Sequence, residues 1–122
     1  MRLHVLVIDD DDAVRSSVVR VLVAHGHNAA GAMNGDQALR LALVRAPHVI
    51  ILDVHMPGQN GVQVARLLKG HSSLAAIPIV ALSATPEDAV DTVLFSEVLA
   101  KPCSSADLLI AVHSAARPHD HS

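Results

Sequence analysis

The run Val49-Ile50-Ile51-Leu52 ends in Asp53, and Pro57-Gly58 follows within a few residues. Four large apolar residues in succession, three of them β-branched, read as a strand buried on both faces, as found inside a parallel sheet covered by helices. Pro57 and Gly58, with Gly61 just beyond, end the extended segment in a loop before the next helix. Asp53 is therefore expected at the carboxyl end of a central strand, where open α/β sheets place their binding and chemistry. A single acid there could do no more than cap a loop. Its meaning depends on what the other strand ends carry.

The rest of the chain alternates strand and helix patterns. Leu3 to Ile8 is a short apolar run closing in Asp9-Asp10-Asp11-Asp12, after which Val14, Val18, Val21 and Leu22 recur at helical spacing as far as Gly26. Asn28 to Met33 is weakly strand-like, Asn34-Gly35 reads as a turn, and Ala38, Leu39, Ala42 and Leu43 mark a second helix stopped by Pro47. Val64, Leu67 and Leu68 lie on a third helix from Val62 to Lys69, closed by Gly70. Ile77 to Leu82 is a fourth strand running into Ser83-Ala84-Thr85-Pro86, and Glu87 and Asp88 suit the first turn of a fourth helix. Val98-Leu99-Ala100 is a short fifth strand ended by Lys101-Pro102, and Ser104 with Asp107 resembles a capping box opening a last helix through about Ala116. The boundaries expected are one domain over residues 1–117 and a polar tail over 118–122.

Composition bounds what such a domain can be. At 122 residues the chain can bury roughly two-thirds of its unfolded surface. With aromatics at 1% and Phe95 the single aromatic ring of that kind, the core must be built from Ala, Val, Leu and Ile. No apolar run approaches the ~20 residues of a membrane span, and the start Met1-Arg2-Leu3-His4 is not a signal peptide, so a cytoplasmic protein is expected. The single Cys103 excludes an internal disulfide and has no base beside it in sequence. A net charge of −3 with scattered basic residues argues against a direct nucleic-acid partner. The nine histidines lack metal-ligand spacing, and only His119 and His121 cluster, so they read as incidental surface residues rather than a zinc site.

Five strand–helix units joined by right-handed crossovers make a doubly wound five-stranded parallel α/β sheet, in which every strand ends on the same edge. The residues just past those ends are Asp9 and Asp10, Asp53, Ser83 and Lys101. Crowded carboxylates raise one another's pKa unless a cation joins them, and a small hard ion such as Mg2+ prefers oxygen ligands of this kind. With the ion bound, Asp53 stays ionised and can act as a nucleophile, while Lys101 and Ser83 offer charge and a hydrogen bond to an incoming phosphoryl group. Each has a plainer reading: an over-acidic helix start, a loop hydroxyl, a surface lysine. Their joint occurrence at four strand ends suggests metal-assisted phosphoryl chemistry.

Val7-Ile8-Asp9-Asp10-Asp11, Leu52-Asp53-Val54-His55-Met56-Pro57-Gly58 with Gly61, Ala81-Leu82-Ser83-Ala84 and Lys101-Pro102 together resemble the receiver domain of two-component response regulators of the chemotaxis-regulator kind. The likeness runs from about residue 3 to 116, with the motifs in the family's order and close to its spacing. It implies the flavodoxin-like (βα)5 fold with strand order 2-1-3-4-5. It also implies that Asp53 is the phosphoacceptor, that Asp10, Asp53 and the backbone carbonyl of His55 ligate Mg2+, and that Asp9 supports the ion through water. By the same resemblance Ser83 and Lys101 bind phosphoryl oxygens, Lys101-Pro102 is cis, and His55 and Thr85 flank the path of the hydrolytic water. The implied partner is a histidine kinase or phosphotransfer protein. Output is expected to pass by protein contact from a monomer or weak dimer, since no second domain follows.

Two departures stand out. Val98 occupies the position where the family commonly carries an aromatic ring that swings inward on activation, and the interval from Ser83 to Lys101 is about one helical turn short. Both bear on how the signal leaves the domain and leave the phosphorylation chemistry untouched. Two other function classes compete with a switch that turns over no free metabolite. A small Mg2+-dependent phosphatase would use a second aspartate two residues after its nucleophile, where this chain has His55. A pseudo-receiver that is never phosphorylated would not need the intact set Asp9, Asp10, Asp53, Ser83 and Lys101.

Overall fold

In a computed structural model, residues 2–56, 58–84 and 94–117 are described. Strands β1 (His4–Ile8), β2 (Asn28–Ala32), β3 (Val49–Asp53), β6 (Ile79–Ser83) and β7 (Glu97–Ala100) form one all-parallel sheet, ordered β2-β1-β3-β6-β7. Taken as strands one to five of the sheet, this is the order 2-1-3-4-5. Helices α1 (Asp12–Ala24), α2 (Gly35–Val44), α3 (Gly61–Lys69) and α4 (Ser105–Ala116) supply the crossovers and cover. The segment expected to form a helix around Glu87 and Asp88, Thr85 and the tail beyond Arg117 lie outside the described residues.

Strand alternation splits the core into two layers. Val5, Val7, Val49, Ile51, Val80 and Leu82 pack with Leu22 of α1 and Leu108 and Val112 of α4. Leu6, Ile8, Ile50, Leu52, Ile79 and Ala81 face the other way, against Ala38 and Ala42 of α2 and Val64 and Leu68 of α3. Because β3 is buried at every position, its sequence shows no polar face. Phe95 is also buried among the second set, as simple core.

Three local readings are refined. Asn34 is not part of a turn but the N-cap of α2, its side chain accepting from the Gln37 N–H, and Gly35 is the first helical residue. The fourth strand of the sheet starts at Ile79 rather than Ile77, and the loop after Asp53 contains a short antiparallel pair, β4 (His55–Met56) with β5 (Gln59–Asn60). Ser104 caps α4 as expected, its hydroxyl accepting from the Asp107 N–H.

The histidine reading needs a larger correction. His4 and His27 are buried, not on the surface. The His4 N–H donates to His48 Nδ1 at 2.9 Å, the Leu3 N–H donates to His27 Nδ1 at 3.1 Å, and His27 Nε2 lies 3.0 Å from His113 Nε2. These rings tie the amino-terminal sheet edge to the β3 approach and to α4, contacts that no local pattern could announce.

Candidate functional site

The parallel register assembles the site. β1 and β3 pair Ile8 with Leu52, so the next residue along each strand brings Asp9 level with Asp53. β3 and β6 pair Asp53 with Leu82, which leaves Ser83 one step beyond, and Ser83 in turn pairs with Ala100 just before Lys101. Carboxylate oxygens of Asp9, Asp10 and Asp53 lie within 4.8 Å of one another. Lys101 Nζ is 3.2 Å from Asp53 Oδ2 and 3.6 Å from Asp9 Oδ2, and the Lys101 N–H donates to the Ser83 carbonyl at 2.9 Å. The Lys101-Pro102 peptide is cis. Asp9, Asp53 and Ser83 are buried, Lys101 is part-exposed, and Asp10 and His55 face solvent.

Local folding gives each acid of the Asp9 to Asp12 run a different task. Asp9 Oδ1 accepts the Asp11 N–H at 3.0 Å. Asp11 is the N-cap of α1, its Oδ1 accepting from the Ala13 and Val14 N–H groups. Asp12, in the first helical turn, pairs with Arg15. Asp9 and Asp10 remain for the crevice. On the other strand, Asp53 Oδ1 accepts the His55 N–H at 3.1 Å, which leaves Oδ2 facing Lys101.

The electrostatics fit a cation. Burial pushes the Asp9 carboxyl above the ordinary carboxylate range, and the charge of Asp53 adds to the rise, against the Asp11 N–H and Lys101. Asp9 Oδ2 is buried with no hydrogen-bond partner among the described residues. The Lys101 ammonium at 3.6 Å gives that oxygen a long ion pair without a hydrogen bond, and an all-oxygen donor set suits a hard divalent ion. Cys103 is close by, but burial and the charge of Asp107 push its thiol up, away from the reactive thiolate.

Arg15 carried no recognised signal in the sequence, whereas Gly61 stands in the motif after Asp53 but its packing role is not visible there. Gly61 is there because α3 begins directly against the loop: a Cβ on it would stand 2.5 Å from Val54 Cα, while its N–H donates to the Val54 carbonyl at 3.0 Å. Arg15 reaches back from α1, its Nη1 donating to the Asp9 carbonyl at 2.7 Å. The Asp12–Arg15 spacing of one helical turn was the available hint.

A doubly wound parallel sheet with three acids, a serine and a lysine at its carboxyl edge is the flavodoxin-like class with an acidic crevice at the switch point. Within that class the chain belongs to the response regulator receiver domain family, whose model matches residues 5–113. The DNA-binding response regulator MtrA of Mycobacterium tuberculosis is 34% identical over 125 residues, covering 98% of this chain. This chain spans about half the length of that relative, 53%. Protein PilH of Pseudomonas aeruginosa is 30% identical over 116 residues, covering 91% of this chain and 95% of PilH. Among solved structures, the chemotaxis protein CheY4 of Vibrio cholerae superposes with a TM-score of 0.87 at 28% identity, covering 94% of this chain and 99% of that one. NtrX of Brucella abortus has the same TM-score at 26% identity, covering 95% of this chain and 27% of NtrX. The chain is thus a receiver domain of two-component response regulators, a signalling rather than a metabolic module. Among the described residues no helix is long and apolar enough to cross a membrane.

Proposed function

We propose that this domain, spanning residues 1–117 before a polar tail, is a cytoplasmic switch phosphorylated on Asp53. The observation that carries the reading is the convergence of Asp9, Asp10, Asp53 and Lys101 on one crevice, with one buried carboxylate oxygen that makes no hydrogen bond among the described residues. Asp10 and Asp53, with the His55 carbonyl, would hold Mg2+, and Asp9 would support it through water. When bound, the ion neutralises the carboxylates and the equatorial oxygens of a transferring phosphoryl group.

The chain's own residues account for the remaining steps. A carboxylate oxygen of Asp53 attacks the phosphorus of a phosphohistidine on a histidine kinase or phosphotransfer partner; the O–P bond forms, the P–N bond breaks, and the imidazole leaves. Lys101 and the Ser83 hydroxyl receive phosphoryl oxygens. Water later attacks the same phosphorus, the Asp53 O–P bond breaks, and inorganic phosphate leaves the restored carboxylate, a step that exposed His55 beside the crevice would modulate. An open groove of about 510 Å³, lined by residues that include Val14, Val18, Lys101 and Cys103, gives a donor protein access next to Lys101. No free metabolite is turned over, and the protein works as a monomer or weak dimer.

The test is intact mass after incubation with a small phosphodonor and Mg2+. Wild type should gain one phosphoryl group, and Asp53→Asn or chelated protein none. Equal labelling of Asp53→Asn would reject the assignment.

A further inference from the structure

We infer that Arg15 is a positioning residue for the acidic crevice, clamping the peptide that joins Asp9 to Asp10; this rests on the metal-site reading above. The Asp9 carbonyl and the Asp10 N–H belong to one planar peptide unit. The Asp9 N–H donates to the Ala32 carbonyl at 3.0 Å, the Asp9 carbonyl accepts Arg15 Nη1 at 2.7 Å, and Asp9 Oδ1 accepts the Asp11 N–H. With those three groups held, Oδ2 is the one Asp9 oxygen left for the crevice. The same clamp sets the direction from which the Asp10 side chain departs.

Arg15 is itself held on two sides. Its other terminal nitrogen pairs with Asp12, which keeps that acid out of the crevice. Its aliphatic stem lies flat over β2 at Gly31, where an added Cβ would stand 3.0 Å from Arg15 Cδ and 3.1 Å from Cγ. Gly31 is thus the track on which the arginine reaches the Asp9 carbonyl. A planar fork presents two separate nitrogens, one to the carbonyl and one to the carboxylate, whereas a lysine offers a single nitrogen on a shorter stem.

Outer-shell partners of metal ligands typically change affinity by about 10–100-fold when removed. Arg15→Met should therefore weaken Mg2+ binding, measured by calorimetry on the unphosphorylated chain, by at least about 10-fold. Arg15→Lys should fall between it and wild type. Gly31→Ala should weaken binding in the wild-type background and have no added effect in Arg15→Met, because both act through one side chain. Folding of each variant is checked by thermal unfolding; if Arg15→Met does not fold, Arg15→Lys and Gly31→Ala carry the comparison. An arginine that only stabilises α1 would lower the melting temperature and leave Mg2+ affinity unchanged, which overturns the inference while the metal-site reading stands. Absence of Mg2+ binding in wild type overturns both.

Discussion

Lys101 Nζ lies 3.2 Å from Asp53 Oδ2, at the centre of a crevice whose other groups are mostly acids. The same ammonium is 3.6 Å from Asp9 Oδ2, so one part-exposed cation serves two buried carboxylates. Removing it leaves both without a cationic partner among the described residues. In metal-free buffer Lys101→Met should lose on the order of 1–3 kcal/mol in urea unfolding, the scale for orphaning a buried polar partner. Mg2+ should then raise the variant's midpoint by more than it raises that of wild type. A metal-free midpoint equal to wild type would mean that Lys101 contributes nothing to holding the acids together.

Asp9 should carry an opposite sign. Its carboxyl is raised by burial and by Asp53, so the folded state holds the proton more tightly than the unfolded one. Its contribution is therefore favourable below the ordinary carboxylate pKa and is lost as pH rises through the raised folded value. At pH 7 without divalent cations, Asp9→Asn should be more stable than wild type by roughly 0.5–2 kcal/mol, the usual gain from relieving a poor charge arrangement. Saturating Mg2+ should narrow or reverse the difference. Chemical unfolding at pH 5 and pH 7, with and without Mg2+, decides it, and a destabilised metal-free variant at pH 7 would refute the charge argument.

Gly61 links stability to the site. Any Cβ there meets Val54 backbone, the residue after Asp53, and backbone cannot swing aside as a flexible side chain can. Gly61→Ala should cost about 1–3 kcal/mol, as overpacking does, and should weaken Mg2+ binding in the fraction that remains folded. Equal stability and equal Mg2+ affinity would show that the loop yields without disturbing Asp53.

The paired rings of His27 and His113 should give the domain an acid-sensitive edge remote from the crevice. Because the Leu3 N–H donates to His27 Nδ1, the neutral ring carries its proton on Nε2 and donates it to His113. Burial lowers the His27 pKa, and His113, the amino terminus and His25 press in the same direction. A lowered folded pKa means stability that is present above the unfolded value and lost as pH falls through the folded one. His27→Asn retains an acceptor near Nδ1 and removes the titration. Its stability should fall less steeply than that of wild type between pH 7 and 5, by at most about 1.4 kcal/mol per pH unit. His4, also lowered by burial, contributes a similar slope that the variant keeps. Parallel slopes for wild type and variant would assign the acid sensitivity elsewhere.

Much of the architecture was legible residue by residue. The run Val49 to Leu52 has no polar face because both sides of β3 are covered, and strand alternation carries through the two core layers. Strand ends are read equally well, because in a parallel sheet whatever follows each strand must lie on one edge. Asp9, Asp10, Asp53, Ser83 and Lys101 are the residues at or just past those strand ends, and the register brings Asp9 level with Asp53.

Other features depend on partners that no local pattern contains. His27 meets a ring 86 residues away, so a pair of histidines that read as surface residues in sequence is partly interior in the fold. Asn34-Gly35 satisfies the signals of a turn and of a helix start alike, and only the packing of α2 on the sheet decides for the helix. The four aspartates after β1 are equivalent in sequence, yet helix capping takes Asp11, Arg15 takes Asp12, and the register leaves Asp9 and Asp10 to the crevice. Sequence alone therefore determined the periodicities and the strand-end residues, because these follow from local geometry and burial. Which atoms oppose one another was settled by tertiary structure, since each such contact closes a loop between segments that chain neighbours cannot specify.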